Sequence, residues 1–195
     1  KMAWPFDVVN VENNYPVAVD DHIDTYEDVK DLIINVLAND RDDDGDPLSI
    51  AVVTLPISGG TVRVENGVVV YNPPLNYYGS DFFVYQICDD GNPFLCDRDT
   101  VYVEVAPVND APVANEDLAI IPFNITEISM IDVQSNDIDV DGDILTTSII
   151  YGPTGGGIAE VINGDQISYI SARDYIGNDT IKYRVCDSGN PALCD

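Results

Sequence analysis

The chain is one unit written twice. Tyr15-Pro16-Val17-Ala18-Val19-Asp20-Asp21 returns as Ala111-Pro112-Val113-Ala114-Asn115-Glu116-Asp117, and the acidic run from Asn39 to Asp46 returns from Asn136 to Asp143. Tyr78-Gly79-Ser80-Asp81 returns as Ile176-Gly177-Asn178-Asp179, and Cys88 as Cys186. The offset drifts only from 96 (15 to 111) to 98 (88 to 186). A period near a hundred residues in a chain of 195 admits two domains of β-sandwich size. Whatever fold is chosen must suit both copies.

The boundary falls in Val108-Asn109-Asp110-Ala111-Pro112, where the proline fixes its own backbone and holds Ala111 extended, so a short, stiff link is expected. The first domain is expected over 15–108 and the second over 109–195. Asp99 to Val105 alternates as a strand after Cys96, and the second copy stops at Asp195 without its equivalent. Phe6 to Val11 sits where such a strand would precede the first domain. Residues 1–14 therefore read as a strand of a preceding repeat or as a linker, and the chain as two periods out of phase with its domains.

Local pattern predicts an all-β protein of two tandem sandwiches with about seven strands each. Thr61–Glu65 and Val68–Tyr71 flank Asn66-Gly67, a hairpin signal repeated around Asn163-Gly164. Phe82–Ile87 and Thr180–Val185 alternate as strands leading into the cysteines. Tyr26, Val29, Leu32, Ile33, Val36 and Leu37 fit a helical period, but the partner segment carries Pro122 and a β-branched run through Ile125, Thr126, Ile131 and Val133. Both copies must share one fold, so both segments are expected to be strands.

The four cysteines form two copies of one pattern, Cys88 to Cys96 and Cys186 to Cys194, each bracketing a turn with Gly-Asn-Pro. A turn there brings the pair face to face, and two local disulfides imply an oxidising, extracellular compartment. Zinc is the rival reading, though it favours closer cysteine spacing and more soft ligands.

Acidic residues number 35 against 8 Lys plus Arg, for a formal net charge of -27. That balance argues against nucleic acid and against anionic membrane surfaces, and no apolar run is long enough to insert into a bilayer. The charge is concentrated in Asp40, Asp42, Asp44 and Asp46 and their counterparts Asp137, Asp139, Asp141 and Asp143. Alternate carboxylates around a Gly turn converge on one point, and hard oxygen donors select Ca²⁺. The spacing opens like an EF-hand, but Ala51 and Ser148 stand where its closing Glu would be. Further ligand candidates are Asp20 and Asp21, Asn109 and Asp110 in the link, and Asp89 and Asp90 at the cysteine hairpin, which could meet at the junction of the domains. Solvated turns also use Asp, Asn and Gly, and that reading competes for Asp20, Asp21, Asp89 and Asp90.

With these motifs in order, VLANDRDDDGDPLSI, GGTVRVENGVVVYNPPLNYYGSDFFVYQICDDGNP and VNDAPVA, the chain resembles the tandem bacterial Ig-like or cadherin-like repeats of very large surface adhesins. The cysteine hairpin is similar to copies in Bacteroidota gliding and adhesion proteins. The resemblance implies a β-sandwich, Ca²⁺ in the acidic loops and linkers, and secretion to the bacterial cell surface.

The function expected is a calcium-stiffened structural module of a long extracellular adhesin or filament, whose partners are neighbouring repeats. The alternatives are an adhesive module gripping surface glycans or host protein, and a filament subunit joined by strand addition. Tyr77, Tyr78 and Tyr102 are candidates for a sugar platform, whereas Tyr71 and Tyr85 have counterparts in Tyr169 and Tyr183 and read as core. An enzyme is not expected: His22 is the single histidine and its counterpart is Leu118.

Overall fold

The computed structural model describes residues 12–122 and 128–195. The strand expected over Phe6–Val11, and the part of the second β-branched run at Ile125 and Thr126, lie outside the described residues. The chain divides into two compact units, Lys1–Val108 and Asn109–Asp195.

Unit 1 is a sandwich of two sheets. The larger has the order β1 (Asp21–Tyr26), β7 (Cys96–Ala106), β6 (Gly79–Cys88), β3 (Ser49–Val52). The smaller has the order β2 (Leu32–Ile34), β5 (Val68–Asn72), β4 (Thr61–Glu65). β6 and β7 are antiparallel, while β1 and β7, the first and last strands, run parallel from Asp21↔Val101 to Tyr26↔Ala106. Alternation decides which side chains meet. Phe83, Tyr85 and Ile87 of β6 and Val101, Val103 and Val105 of β7 face inward onto Ile34, Val36, Val69 and Tyr71. Each such apolar side chain contributes about 2 kcal/mol on burial. The even-numbered neighbours Phe82, Tyr102 and Glu104 are left outside.

The helical period between Tyr26 and Leu37 is not a helix. The segment holds the short strand β2 and a single 3-10 turn at Val36–Ala38, whose Val36 side chain is fully buried. The Asn66-Gly67 hairpin forms with both residues at positive φ, 52° and 81°, joining Glu65 directly to Val68. In unit 2 the same turn takes in Asp165 as a third loop residue, so that Ile162 pairs with Gln166.

Unit 2 contains β10 (Ile158–Ile162), β11 (Gln166–Ile170) and β8 (Ser129–Asp132) in one sheet. A second pair consists of β12 (Lys182–Cys186) and β9 (Thr146–Tyr151). Its core is thinner, built on Val133, Ile167, Tyr169 and Val185. Both units share a carboxylate pin, buried in unit 1 and half-buried in unit 2. Asp81 accepts from Tyr71 Oη (2.6 Å) and Ser58 Oγ (2.5 Å), and Asp179 accepts from Tyr169 Oη (2.7 Å) and Thr154 Oγ1 (3.1 Å). Among the described residues no helix is long and apolar enough to cross a membrane.

Candidate metal centre

The acidic runs begin at a fixed point. In unit 1, Val17 and Arg41 exchange backbone hydrogen bonds (2.8 and 3.1 Å), and in unit 2, Val113 and Ile138 do the same (2.7 and 3.1 Å). This bridge divides each run in two. Beyond it the chain turns on Gly45 and Gly142, at φ 80° and 76°. The first aspartate of the turn organises the loop. Asp42 Oδ1 accepts from Asp44 N (2.9 Å) and Asp46 N (3.2 Å), and Asp139 Oδ1 accepts from Asp141 N (3.0 Å) and Asp143 N (3.1 Å). The result is two carboxylate triads, Asp42/Asp44/Asp46 and Asp139/Asp141/Asp143, each with one oxygen per residue within 4.8 Å of the others.

Asp40 and Asp137 lie on the near side of the bridge, away from these triads. Asp40 accepts from Val19 N (2.8 Å) and from Tyr85 Oη (3.0 Å), and Asp137 accepts from Asn115 N (2.8 Å). Asp21 shares that inner site. Burial first, and then the charge of Asp40, push its carboxyl up to about 6. In unit 2, Tyr183 Oη donates to Asp117 (2.7 Å), the counterpart of Asp21. Asp20 stands apart from both groups, accepting from Thr100 N (3.2 Å) and bonding Asp99, whose carboxyl it pushes up.

The link residues and the hairpin acids come together within each unit. Asn13 Nδ2 donates to Asp89 (2.9 Å) and to the Pro93 carbonyl (2.8 Å). Asn109 Nδ2 donates to Asp187 (2.9 Å) and to the Pro191 carbonyl (3.1 Å). The next residue reaches the triad: Asn14 N donates to Asp44 (2.6 Å), and Asp110 N to Asp141 (2.7 Å). Asp89 and Asp187 also accept from two backbone N–H groups of their own turn, Gly91 and Leu95 or Gly189 and Leu193. Despite burial, these donors hold both carboxyls below their ordinary value. The turn glycines are required, since a Cβ on Gly91 or Gly189 would collide with the side chain of Asn13 or Asn109. Each hairpin is closed by a disulfide, Cys88–Cys96 and Cys186–Cys194, and no cysteine is free for zinc.

The fourth member of each cluster differs. Asp90 bears on Asp46, whose carboxyl is raised by burial and then by the charges of Asp42 and Asp90 among others. In unit 2 the hairpin offers Ser188 instead, whose hydroxyl donates to Asp143 (3.0 Å). The sequence repeat contained this exchange, but nothing local marked it as part of the loop. In unit 1 an open cavity of about 300 Å³ lies between Asn13, Asp44, Asp46 and Gly91. Oδ2 of Asp42 and Oδ2 of Asp139 are buried and accept no hydrogen bond among the described residues. All-oxygen donors, crowded charge and an orphaned carboxylate oxygen suit a hard divalent cation.

Residues 13–104 and 109–192 each match the sequence model of the bacterial Ig domain. The chain is 32% identical over 179 residues to Protein GAMETE EXPRESSED 2 of Arabidopsis thaliana, which covers 83% of this chain and 19% of that protein. Among solved structures, human protocadherin-24 EC1-2 superposes with a TM-score of 0.58 at 16% identity, covering 94% of this chain and 95% of that one. Protocadherin gamma C5 EC1-3 gives 0.55 at 15% identity, over 96% of this chain and 68% of that one. At such identities the likeness is one of fold.

Proposed function

The chain belongs to the bacterial Ig domain family in two tandem copies, and on that premise we propose that it is a structural, calcium-stiffened module of a long extracellular adhesin or surface filament. The observation that carries the reading is the repeated triad with its buried, unpartnered oxygen, Asp42 Oδ2 in one unit and Asp139 Oδ2 in the other. Asp42, Asp44 and Asp46, and Asp139, Asp141 and Asp143, would hold the ions. A bound Ca²⁺ supplies two positive charges to each loop and removes the mutual repulsion of its carboxylates. Asn14 and Asp110 tie the chain entering each unit to the triad through their backbone N–H groups. Fixing the triad therefore fixes that entering segment, and neighbouring repeats become the partners whose orientation the ion controls.

The two disulfides favour an oxidising compartment, and with the family they support a place at the bacterial cell surface. Calcium titration calorimetry with parallel thermal melts, in EDTA and in millimolar Ca²⁺, tests the reading. The expected result is saturable binding and a rise in melting temperature that Asp44→Ala with Asp141→Ala largely abolishes. Equal melts with and without Ca²⁺ would sink it.

A further inference from the structure

The outer face of the larger sheet in unit 1 carries a feature that the stalk reading does not use. Across β1, β7 and β6, the ladder places His22 beside Tyr102 and Tyr102 beside Phe82. His22 and Tyr102 stack, with ring centroids 5.0 Å apart and planes 11° from parallel, and Phe82 lies tilted 6.3 Å beyond. Two residues further along each strand, about 7 Å away, the same register sets Asp24 beside Glu104 and Glu104 beside Ser80. A row of rings and a row of polar side chains thus run across three strands, with Ser80 Oγ donating to Glu104 (2.7 Å), and between the rows lies a cavity of about 220 Å³.

Beyond the bond from Ser80 to Glu104, neither row serves the core. Phe82 and Tyr102 stay 39% and 41% exposed while their strand neighbours Phe83, Val101 and Val103 form the core. Asp24 and Glu104 are like charges on directly paired positions, an arrangement that weakens a sheet, and among the described residues no Lys or Arg pairs with either. The sequence of unit 2 does not repeat the pattern, since Leu118, Ile120, Asn178 and Thr180 stand in place of His22, Asp24, Ser80 and Phe82.

We propose that this groove is a binding site for a guanidinium group, an arginine side chain of a partner protein's basic segment, held between the His22/Tyr102/Phe82 wall and the Asp24/Glu104 wall. A guanidinium is planar, weakly hydrated and always charged. It packs against aromatic rings and donates forked hydrogen bonds to carboxylates. An ammonium pairs with the acids but uses the ring wall less well, and a neutral sugar leaves the two adjacent carboxylates uncompensated. The net charge of -27 draws any basic segment towards the chain, and the groove supplies the selection that bulk charge lacks.

The test is a titration of the ¹⁵N-labelled protein, in saturating Ca²⁺, with the peptide acetyl-Gly-Arg-Gly-Arg-Gly-amide, its lysine twin and cellotriose, followed by amide chemical shifts. Shifts confined to residues 22–24, 80–82 and 102–104, with the arginine peptide bound roughly fivefold more tightly than the lysine one, are expected. Tyr102→Ala should erase that preference, and Asp24→Asn with Glu104→Gln should weaken both peptides. These side chains face away from the core, so an unchanged spectrum elsewhere verifies the fold. Equal binding of the two peptides, shifts spread over the acidic loops, or an unaltered preference in Tyr102→Ala would overturn the proposal, as would cellotriose binding at the groove in place of the arginine peptide. The groove shares no residue with the carboxylate triads, so a failure of the calcium reading leaves this result standing.

Discussion

Asn109 and Asp187, 78 positions apart, are joined by a 2.9 Å hydrogen bond from Nδ2 to a carboxylate that is only 4% exposed. The same bond joins Asn13 to Asp89 in the other unit. The link asparagine is thus a structural member of the unit that follows it. Replacing it leaves a buried carboxylate short of one donor. Asn109→Ala should lower the melting temperature of unit 2 by about 5 °C. Gly189→Ala should do similar damage, because its new Cβ displaces the same amide. The double variant should lose less than the sum of the two, since both break one contact. Additive losses in calorimetric melts would show that the two residues act separately.

The two triads should not bind calcium alike. Unit 1 adds the charge of Asp90, whereas unit 2 adds a neutral hydroxyl from Ser188. Affinity rises with ligand charge, so titration should resolve a tighter and a weaker class. Ser188→Asp should strengthen the weaker class, and Asp90→Ser should weaken the tighter one, each by roughly tenfold. Asp40→Asn, altered on the other side of the Val17–Arg41 bridge, should leave both classes in place.

Acid should stabilise the calcium-free protein before it harms it. The Asp21 carboxyl is raised to about 6 from an ordinary 3.8, so its contribution to stability is full below the ordinary value and lost as pH rises through 6. The melting temperature should therefore climb as pH falls from 7 to 5. Asp89 and Asp187 are shifted the other way, so their contribution disappears only as pH drops below 3.8. Asp21→Asn should raise the melting temperature at pH 7 and flatten the limb between 5 and 7. A melt profile of that variant parallel to the parent's would refute the assignment.

Each disulfide closes a loop of sequence separation 8. Loop-closure entropy assigns it about 2.5 kcal/mol against the unfolded chain. Cys186→Ala with Cys194→Ala should destabilise unit 2 by about that amount in urea titrations, with the hairpin still ordered by the bonds Asp187 makes to its turn.

The repeat made much of this legible. Aligning Cys88 with Cys186 and Asn66 with Asn163 located the hairpins, and counterparts among the tyrosines separated buried Tyr71 and Tyr85 from exposed Tyr78 and Tyr102. The sequence did not show that Asp40 and Asp42 part company. Their spacing is uniform, and only the backbone bridge at Arg41 sends one towards Tyr85 and the other into the loop. The helical period at Tyr26–Leu37 had to be overruled by the second copy, and β2 bears out the strand reading. Apolar residues that serve a strand and then a 3-10 turn fall by chance on one helical face. The groove beside Tyr102 was invisible because it exists only across three strands whose register is set by the fold.

The parallel pairing of β1 with β7 bears on how unit 1 carries load. Tension along the polypeptide pulls β1 from its leading end and β7 from its trailing end. In parallel neighbours those pulls slide one strand lengthwise past the other. Every rung from Asp21↔Val101 to Tyr26↔Ala106 then resists at once, in shear, where an antiparallel pair gripped at one end would peel open rung by rung.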